Sequence, residues 1–169
     1  MSIQIRSETD DDKTAVYDVN AAAFPTETEA KLVDALRKSA SEYISQVAVE
    51  DQNVVGHIMF TPVTLEPFED LRLMGLAPMA VSPSLQRGGI GSELVKTGLL
   101  RCTESDVGAV AVLGHPQYYP RFGFRPASQW GIKSEYEVPE EVFMMMELSP
   151  GYLQDYQGII RYDAVFADI

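Results

Sequence analysis

The chain has 169 residues, of which 46% are hydrophobic and 22% charged, and its formal net charge is -12. This composition is typical of one soluble domain and excludes a disordered chain. The acidic balance excludes a general nucleic-acid or anionic-membrane binder, because phosphate contacts need concentrated Lys and Arg.

The first half of the chain is expected to form one strand, two helices and three further strands. The strand segments carry alternating or continuous apolar residues and cover residues 3–7, 45–50, 54–65 and 71–81. Thr9 or Asp10 can cap the first helix, which we expect to run to about Phe24 because Pro25 breaks it. The second helix is expected over residues 28–39, where apolar side chains recur at helical spacing.

The second half is expected to continue with a crossover helix and more strands. An amphipathic helix is expected over residues 89–104, and the fully apolar run 109–113 is typical of a buried central strand. A short helix before Phe124 leads into a further strand, and late strands are expected near residues 142–148 and 159–166. Because hairpins are combined with one crossover helix, the sequence predicts an α/β fold with a mixed sheet.

A glycine-rich segment joins the strand ending at Val81 to the helix that follows. Glycine lets the main chain turn tightly and lets a ligand approach it, and the first N–H groups of a helix have no partner within the helix. Such groups bind anions with help from the helix dipole, and Arg87 adds a positive charge. A Walker loop would need a Lys between Gly91 and Ser92, and the GxGxxG spacing of a dinucleotide fingerprint is absent.

The pattern Gln86-x-x-Gly89-x-Gly91, after a strand and before an amphipathic helix, resembles the pyrophosphate-binding signature of the GNAT superfamily of N-acetyltransferases. The resemblance follows the element order over most of the chain and is most specific over residues 71–125. It implies a GNAT-like acyltransferase fold with a splayed strand pair and helices on both faces of the sheet. It also implies acetyl-coenzyme A (acetyl-CoA) as co-substrate. No metal is expected, because no His, Cys and Asp cluster in the sequence has metal-ligand spacing. The residues that it implies for coenzyme A binding are Met79, Ala80, Val81, Gln86, Arg87, Gly88, Gly89, Ile90, Gly91, Ser92 and Tyr119.

Pro78 interrupts the strand over residues 71–81. Because proline cannot donate a sheet hydrogen bond, a central strand that contains it is expected to bulge or splay. The resemblance implies that this strand parts from its parallel neighbour and that the gap admits the pantetheine arm. A main-chain N–H near Met79 would then meet the thioester carbonyl as an oxyanion donor, which is a catalytic role.

Tyr119 stands four residues before Gly123-Phe124, the spacing at which the family usually carries a tyrosine. The resemblance implies that this tyrosine hydrogen-bonds the coenzyme sulfur and acts as the catalytic general acid. A phenol suits the role, because with a reference pKa of ~10 it stays protonated at pH 7. Tyr118 is the alternative, since two adjacent tyrosines on a short helix face different ways.

The general base is less evident, because many relatives carry a Glu on the strand that matches residues 71–81 and this chain has no carboxylate there. Glu27 and Glu29, at the start of the second helix, are the catalytic candidates, since that helix borders the acceptor site in the family. The acceptor amine could also lose its proton to water. His115 stands where the family often has Asn and is either a polar group of the site or a loop-structuring residue.

These features predict an enzyme that moves an acetyl group from acetyl-CoA to a primary amine by direct attack. The acceptor is expected to be a small molecule or a peptide, with neither nucleic acid nor a membrane as partner, and the protein a monomer or a homodimer. The alternative is a non-catalytic module that binds or senses acetyl-CoA. We expect one domain over residues 1–169, in the cytoplasm, because the polar start of the chain lacks a signal-peptide pattern and no apolar run approaches the ~20 residues that span a bilayer.

Overall fold

The computed structural model describes residues 2–168, which form three α-helices and nine strands. The helices are α1 (Lys13–Ala23), α2 (Thr28–Ser39) and α3 (Ile90–Glu104). The strands are β1 (Gln4–Ser7), β2 (Ile44–Glu50), β3 (Asn53–Glu66), β4 (Phe68–Val81), β5 (Ala109–Leu113), β6 (Arg125–Pro126), β7 (Ile132–Ser134), β8 (Phe143–Glu147) and β9 (Gly158–Arg161). No helix within residues 2–168 combines the length and apolarity needed to cross a membrane.

The strands form one mixed sheet in the order β1-β2-β3-β4-β5-β8-β6. Strand β9 extends the sheet by pairing with the far end of β3, and β7 pairs with β9. The pairs β4–β5 and β7–β9 are parallel, and the other pairs are antiparallel. The parallel β4–β5 pair requires a crossover, which α3 supplies, so the mixed α/β sheet predicted from the sequence is confirmed.

Helices cover both faces of the sheet, and the alternation of side chains along β3 shows how. Ile58 and Phe60 pack with Leu94 and other apolar residues of α3 on one face. Met59 points the opposite way and packs with Leu36 and its apolar neighbours on α1 and α2. Strand β5 is buried on both faces in the same manner, which explains its fully apolar sequence.

The helix predictions were accurate except at the start of α1. Helix α2 has the predicted bounds, but a 3-10 helix at Asp10–Asp12 precedes α1, which begins only at Lys13. The Asp12 carboxylate accepts a hydrogen bond from the Thr9 N–H (2.7 Å) and is paired with the Arg6 guanidinium (2.7 Å). These contacts hold the first turn in the tighter 3-10 form, which Thr9 and Asp12 cap.

The prediction of a strand over residues 159–166 was wrong beyond Arg161. Asp163 ends β9, because its carboxylate accepts a hydrogen bond from the Val165 N–H (3.1 Å) and its carbonyl accepts one from the Phe166 N–H (3.0 Å). The chain then forms a 3-10 helix, Ala164–Asp168. The short helix before Phe124 is likewise a 3-10 helix, Tyr119–Phe122, and the three-residue strand β7 was not predicted.

His57 of β3 is fully buried between β2 and α1. Its Nδ1 lies 3.1 Å from the Asn20 amide nitrogen and its Nε2 lies 2.8 Å from the Ser45 hydroxyl. Since the amide nitrogen only donates, Nδ1 accepts and Nε2 carries the ring proton. Burial, aided by the positive charge of Arg37, lowers the pKa of His57 from 6.5 to about 3, so the folded protein holds a neutral imidazole.

We expect the free energy of unfolding to fall as the pH drops from about 6.5 to about 4.5, by up to about 1.4 kcal/mol per pH unit. In that window the unfolded chain protonates His57 at its ordinary pKa while the folded chain does not, so protons favour the unfolded state. Urea unfolding at a series of pH values measures the slope. His57→Gln should flatten it, whereas replacing the exposed His115 by Gln should leave it unchanged. A wild-type slope near zero would contradict the prediction.

Candidate active site at the splayed strands

The segment between β4 and α3 is held in place at its start. The Ser82 N–H donates to the Val55 carbonyl of β3 (2.8 Å), and the Gln86 side-chain amide donates to the Val81 carbonyl (3.0 Å). A 3-10 helix, Pro83–Leu85, lies between these two contacts. Arg87 and Gly89 then adopt left-handed conformations with φ of 69° and 92°, so the glycine at position 89 meets a conformational requirement of the turn into α3.

The main-chain nitrogens of this turn are exposed to an incoming ligand. Within residues 2–168, the N–H groups of residues 86–92 donate to no protein acceptor, and the hydrogen bonds of α3 begin with Glu93 N–H to the Gly89 carbonyl (3.1 Å). Gly88 and Gly89 are exposed, and no atom lies within 4 Å of the position that a Gly89 Cβ would take. Free N–H groups at the positive end of a 15-residue helix are chemically suited to an anionic group such as a phosphate.

Strand β4 bulges beside this turn and leaves its parallel neighbour. Ile58 of β3 is opposite Met79 but Phe60 is opposite Leu76, so Ala77 and Pro78 together face the single residue Met59. The pairing of β4 with β5 ends at Leu76, opposite Val112. The bulge and splay expected from Pro78 are therefore present, and a gap opens between the two parallel strands.

Main-chain groups of β4 line that gap. Ser82 and, by the alternation of a strand, Ala80 turn their N–H groups toward β3. Met79 and Val81 turn theirs the opposite way, into the gap where β5 no longer pairs. Of the three strand residues expected to meet the coenzyme, Met79 and Val81 thus present a free N–H, whereas Ala80 is directed into the sheet.

A cavity of about 820 Å³ opens at the end of the gap. One part of its wall consists of β4 from Leu76 to Met79, the segment from Leu113 to His115 after β5, and Tyr119. The other part comes from the end of α1, the first turns of α2 and the C-terminal segment. The fold therefore joins the strand gap, a phenol and a mostly apolar chamber in one continuous space.

Tyr119 lines this cavity and is largely enclosed, with 7% of its surface exposed. Its ring packs edge-on against Phe124 with ring centres 5.6 Å apart. It lies so close to Gly114 that a Cβ there would be 2.3 Å from the ring, so only glycine fits at that position. Burial raises the pKa of Tyr119 to about 12, and the hydroxyl is therefore a proton donor at neutral pH.

Tyr118 takes a different direction. Its hydroxyl lies 3.0 Å from the Ser92 hydroxyl in the first turn of α3, and the Arg121 guanidinium lies over its ring at 4.5 Å. A Cβ at Gly91 would be 3.4 Å from the same hydroxyl. The two adjacent tyrosines thus serve different parts of the site, Tyr119 the cavity and Tyr118 the glycine-rich turn.

The two glutamates considered as general base lie in different surroundings. Glu29 is half-buried and lines the cavity, whereas Glu27 is exposed and does not line it. Glu27 lies close to Tyr17. The pKa of the Tyr17 phenol is raised first by burial and next by the negative charge of Glu27. His115 is exposed at the cavity wall. Of the two candidate bases, Glu29 alone contributes to the cavity wall.

Several site residues could not be found from the sequence. Arg121 stacks on the Tyr118 ring at 4.5 Å and its Nε donates to the Tyr118 carbonyl (3.0 Å), and no sequence pattern indicated these contacts. Tyr136, Tyr162 and Phe166 line the cavity. Tyr162 and Phe166 lie after the point where β9 ends, and their region was expected to be a strand, so no sequence pattern placed them at the site.

Comparison with known proteins identifies a family and relatives that are similar in sequence. Residues 4–127 match the family model described as an acetyltransferase (GNAT) domain. The chain is 32% identical over 163 residues to YhbS of Escherichia coli K12, an uncharacterized N-acetyltransferase, covering 96% of this chain and 97% of YhbS. YjhQ of the same strain, also an uncharacterized N-acetyltransferase, is 39% identical over 145 residues, covering 82% of this chain and 80% of YjhQ.

Two solved structures share the whole architecture. The crystal structure of Escherichia coli YhbS in complex with CoA has a TM-score of 0.92 at 30% identity and covers 98% of this chain and 92% of that chain. A GNAT family acetyltransferase from Brucella melitensis in complex with acetyl-CoA has a TM-score of 0.79 at 32% identity and covers 98% of both chains. Both matches therefore extend over the residues that form the glycine-rich turn, the splayed strands and nearly all of the cavity wall in this chain.

Proposed function

The chain belongs to the GNAT family of N-acetyltransferases, and on that premise we propose that it transfers the acetyl group of acetyl-CoA to a primary amine. The observation that carries this proposal is the row of free N–H groups over residues 86–92, next to a strand gap that opens into a cavity. The free N–H groups of the turn can bind a pyrophosphate, and the gap between the strands can hold the extended pantetheine arm, which itself forms hydrogen bonds. These residues therefore fit coenzyme A, and relatives crystallised with CoA or acetyl-CoA support the assignment.

Each part of the site has one task in this proposal. The N–H groups from Gln86 to Ser92 hold the pyrophosphate, with Arg87 adding positive charge. When bound, acetyl-CoA supplies a thioester whose carbonyl carbon accepts the amine. The Met79 N–H donates to the carbonyl oxygen as negative charge develops there, and the Val81 N–H holds the arm.

Proton transfer falls to two side chains. Tyr119 donates its hydroxyl proton to the sulfur as the carbon–sulfur bond breaks, a role that its raised pKa supports. Glu29 attracts the acceptor ammonium to the cavity and removes one proton from it, directly or through water, so that the neutral amine can attack. The nitrogen loses a second proton as the amide forms, which balances the proton that Tyr119 gives to the sulfur. Its place in the cavity wall supports this choice over Glu27.

Calorimetric titration with CoA, followed by measurement of thiol release from acetyl-CoA, tests the proposal. We expect micromolar binding and amine-dependent release of one thiol for each amine acetylated. Absence of CoA binding at high micromolar concentration would overturn the proposal. Binding without thiol release across a broad panel of primary amines would instead favour a binding or sensing module.

A further inference from the structure

The part of the cavity away from the strand gap is aromatic. Phe24 contributes from the end of α1, and Tyr136, Tyr162 and Phe166 contribute from the second half of the chain. The ring centre of Tyr162 lies 5.6 Å from that of Tyr136 and 5.4 Å from that of Phe166, so these three rings form one wall. Aromatic walls of this kind bury an apolar body and also attract an ammonium group over their faces.

The charges of the cavity are few and of one sign. Among residues 2–167, Glu29 is the one acidic side chain that lines it, and no Lys or Arg of that range does so. The whole chain carries a net charge of -12, which attracts cations toward the opening. The cavity is therefore matched to an acceptor with a single positive charge and no negative charge.

From this lining we infer that the acceptor is a primary monoamine attached to an apolar body, with no carboxylate. This inference rests on the proposed function and names its substrate class. The carboxylate of an amino acid would enter a chamber without a cation to pair with it, which is strongly unfavourable. Within residues 2–167 the second ammonium of a polyamine would find no second carboxylate in the cavity wall, and a very small amine would leave the aromatic wall without contact.

The inference is tested by thiol release with acceptors that differ in one feature at a time. We use 2-phenylethylamine, phenylalanine, ethylamine, spermidine and a lysine-containing peptide. We expect kcat/KM for 2-phenylethylamine to exceed that for phenylalanine, which has the same body plus a carboxylate, by about 100-fold or more. It should exceed the values for ethylamine and spermidine by about 10-fold or more.

A preference for phenylalanine, ethylamine, spermidine or the peptide would overturn this inference and leave the proposed function intact. Thiol release with none of the amines, in a protein that binds CoA, would overturn both. The measured order of the five acceptors thus separates the two failures.

A substitution provides a second test. Glu29→Gln should raise KM for 2-phenylethylamine by about 10-fold or more, because the ammonium loses its counter-charge, while Kd for CoA stays unchanged. Glu27→Gln removes the same charge two residues away, outside the cavity wall. It therefore shows whether the effect on KM depends on where the charge lies or only on the loss of one negative charge. Glu104→Gln, at the far end of α3, is the control that should keep wild-type KM. A larger KM effect from Glu27→Gln than from Glu29→Gln would overturn the assignment of Glu29 as the ammonium partner.

Discussion

Replacing Tyr119 by Phe should lower kcat by about 100-fold or more, because the departing sulfur loses its proton donor. The ring itself is retained, so its packing against Phe124 and its fit over Gly114 should persist and the fold should be unchanged. We expect Kd for CoA to rise by no more than about 10-fold, much less than the fall in kcat, since at most a single neutral hydrogen bond is lost. Thiol-release kinetics and calorimetric titration measure the two quantities separately.

Tyr118→Phe is the matched comparison, because it removes the same group from the adjacent residue. Its hydroxyl lies 3.0 Å from the Ser92 hydroxyl in the glycine-rich turn and does not line the cavity. We expect Kd for CoA to rise by about 5-fold through loss of that hydrogen bond, with kcat close to wild type. The reverse outcome, a loss of kcat in Tyr118→Phe alone, would assign the general acid to Tyr118.

The pH dependence of kcat gives a further check on Tyr119. With its pKa raised to about 12, the phenol remains protonated throughout the neutral and moderately alkaline range. The rate should therefore show no loss attributable to tyrosine ionisation below pH ~10. A basic limb that appears in the wild-type profile near neutral pH and is absent in Tyr119→Phe would contradict this assignment.

Replacing Gly91 by Ala should weaken CoA binding by about 10-fold or more while leaving the fold intact. The new Cβ would lie 3.4 Å from the Tyr118 hydroxyl and 3.6 Å from Met79 Cε, which are ordinary contact distances. Alanine also stabilises a helix by about 1 kcal/mol relative to glycine, so the melting temperature should not fall. The methyl group instead occupies space between the turn and β4, where a ligand must approach the N–H groups, and each lost hydrogen bond to a charged group costs about 1.5–3 kcal/mol.

Lys96→Ala is the control for Gly91→Ala. Lys96 is exposed on the same helix, beyond its first turn, and its removal changes the local charge without touching the turn. Calorimetry should give a Kd for CoA close to the wild-type value in this variant. Equal weakening in both variants would mean that general electrostatic attraction, and not access to the main-chain nitrogens, governs coenzyme affinity.

The glycine-rich turn was predictable because its determinants are close together in the chain. A strand that ends at Val81, glycines at positions 89 and 91, and an amphipathic helix after them suffice to predict free N–H groups at a helix start. Pro78 predicted the bulge for the same local reason, since a missing donor disturbs its own strand whatever lies beside it. Both features are present in the structure.

The late part of the chain was predicted less well because its structure depends on distant partners. Strand β7 has three residues and exists through pairing with β9, more than twenty positions later. The strand expected over residues 159–166 ends at Arg161. Asp163 accepts hydrogen bonds from N–H groups that a longer strand would have donated to a neighbouring strand. Apolar residues beyond it pack against α2 rather than continuing the sheet.

The sequence by itself determined the α/β class, the position of the glycine-rich turn that we propose to bind the coenzyme, and the pair of tyrosines from which we propose the acid. Only the tertiary structure decided which tyrosine and which glutamate face the cavity, and that three aromatic side chains of the second half form its wall. The division has a physical cause. Main-chain geometry at a turn follows from residues a few positions apart, whereas a cavity is formed by side chains that meet only when both ends of the chain pack onto the same face of a sheet.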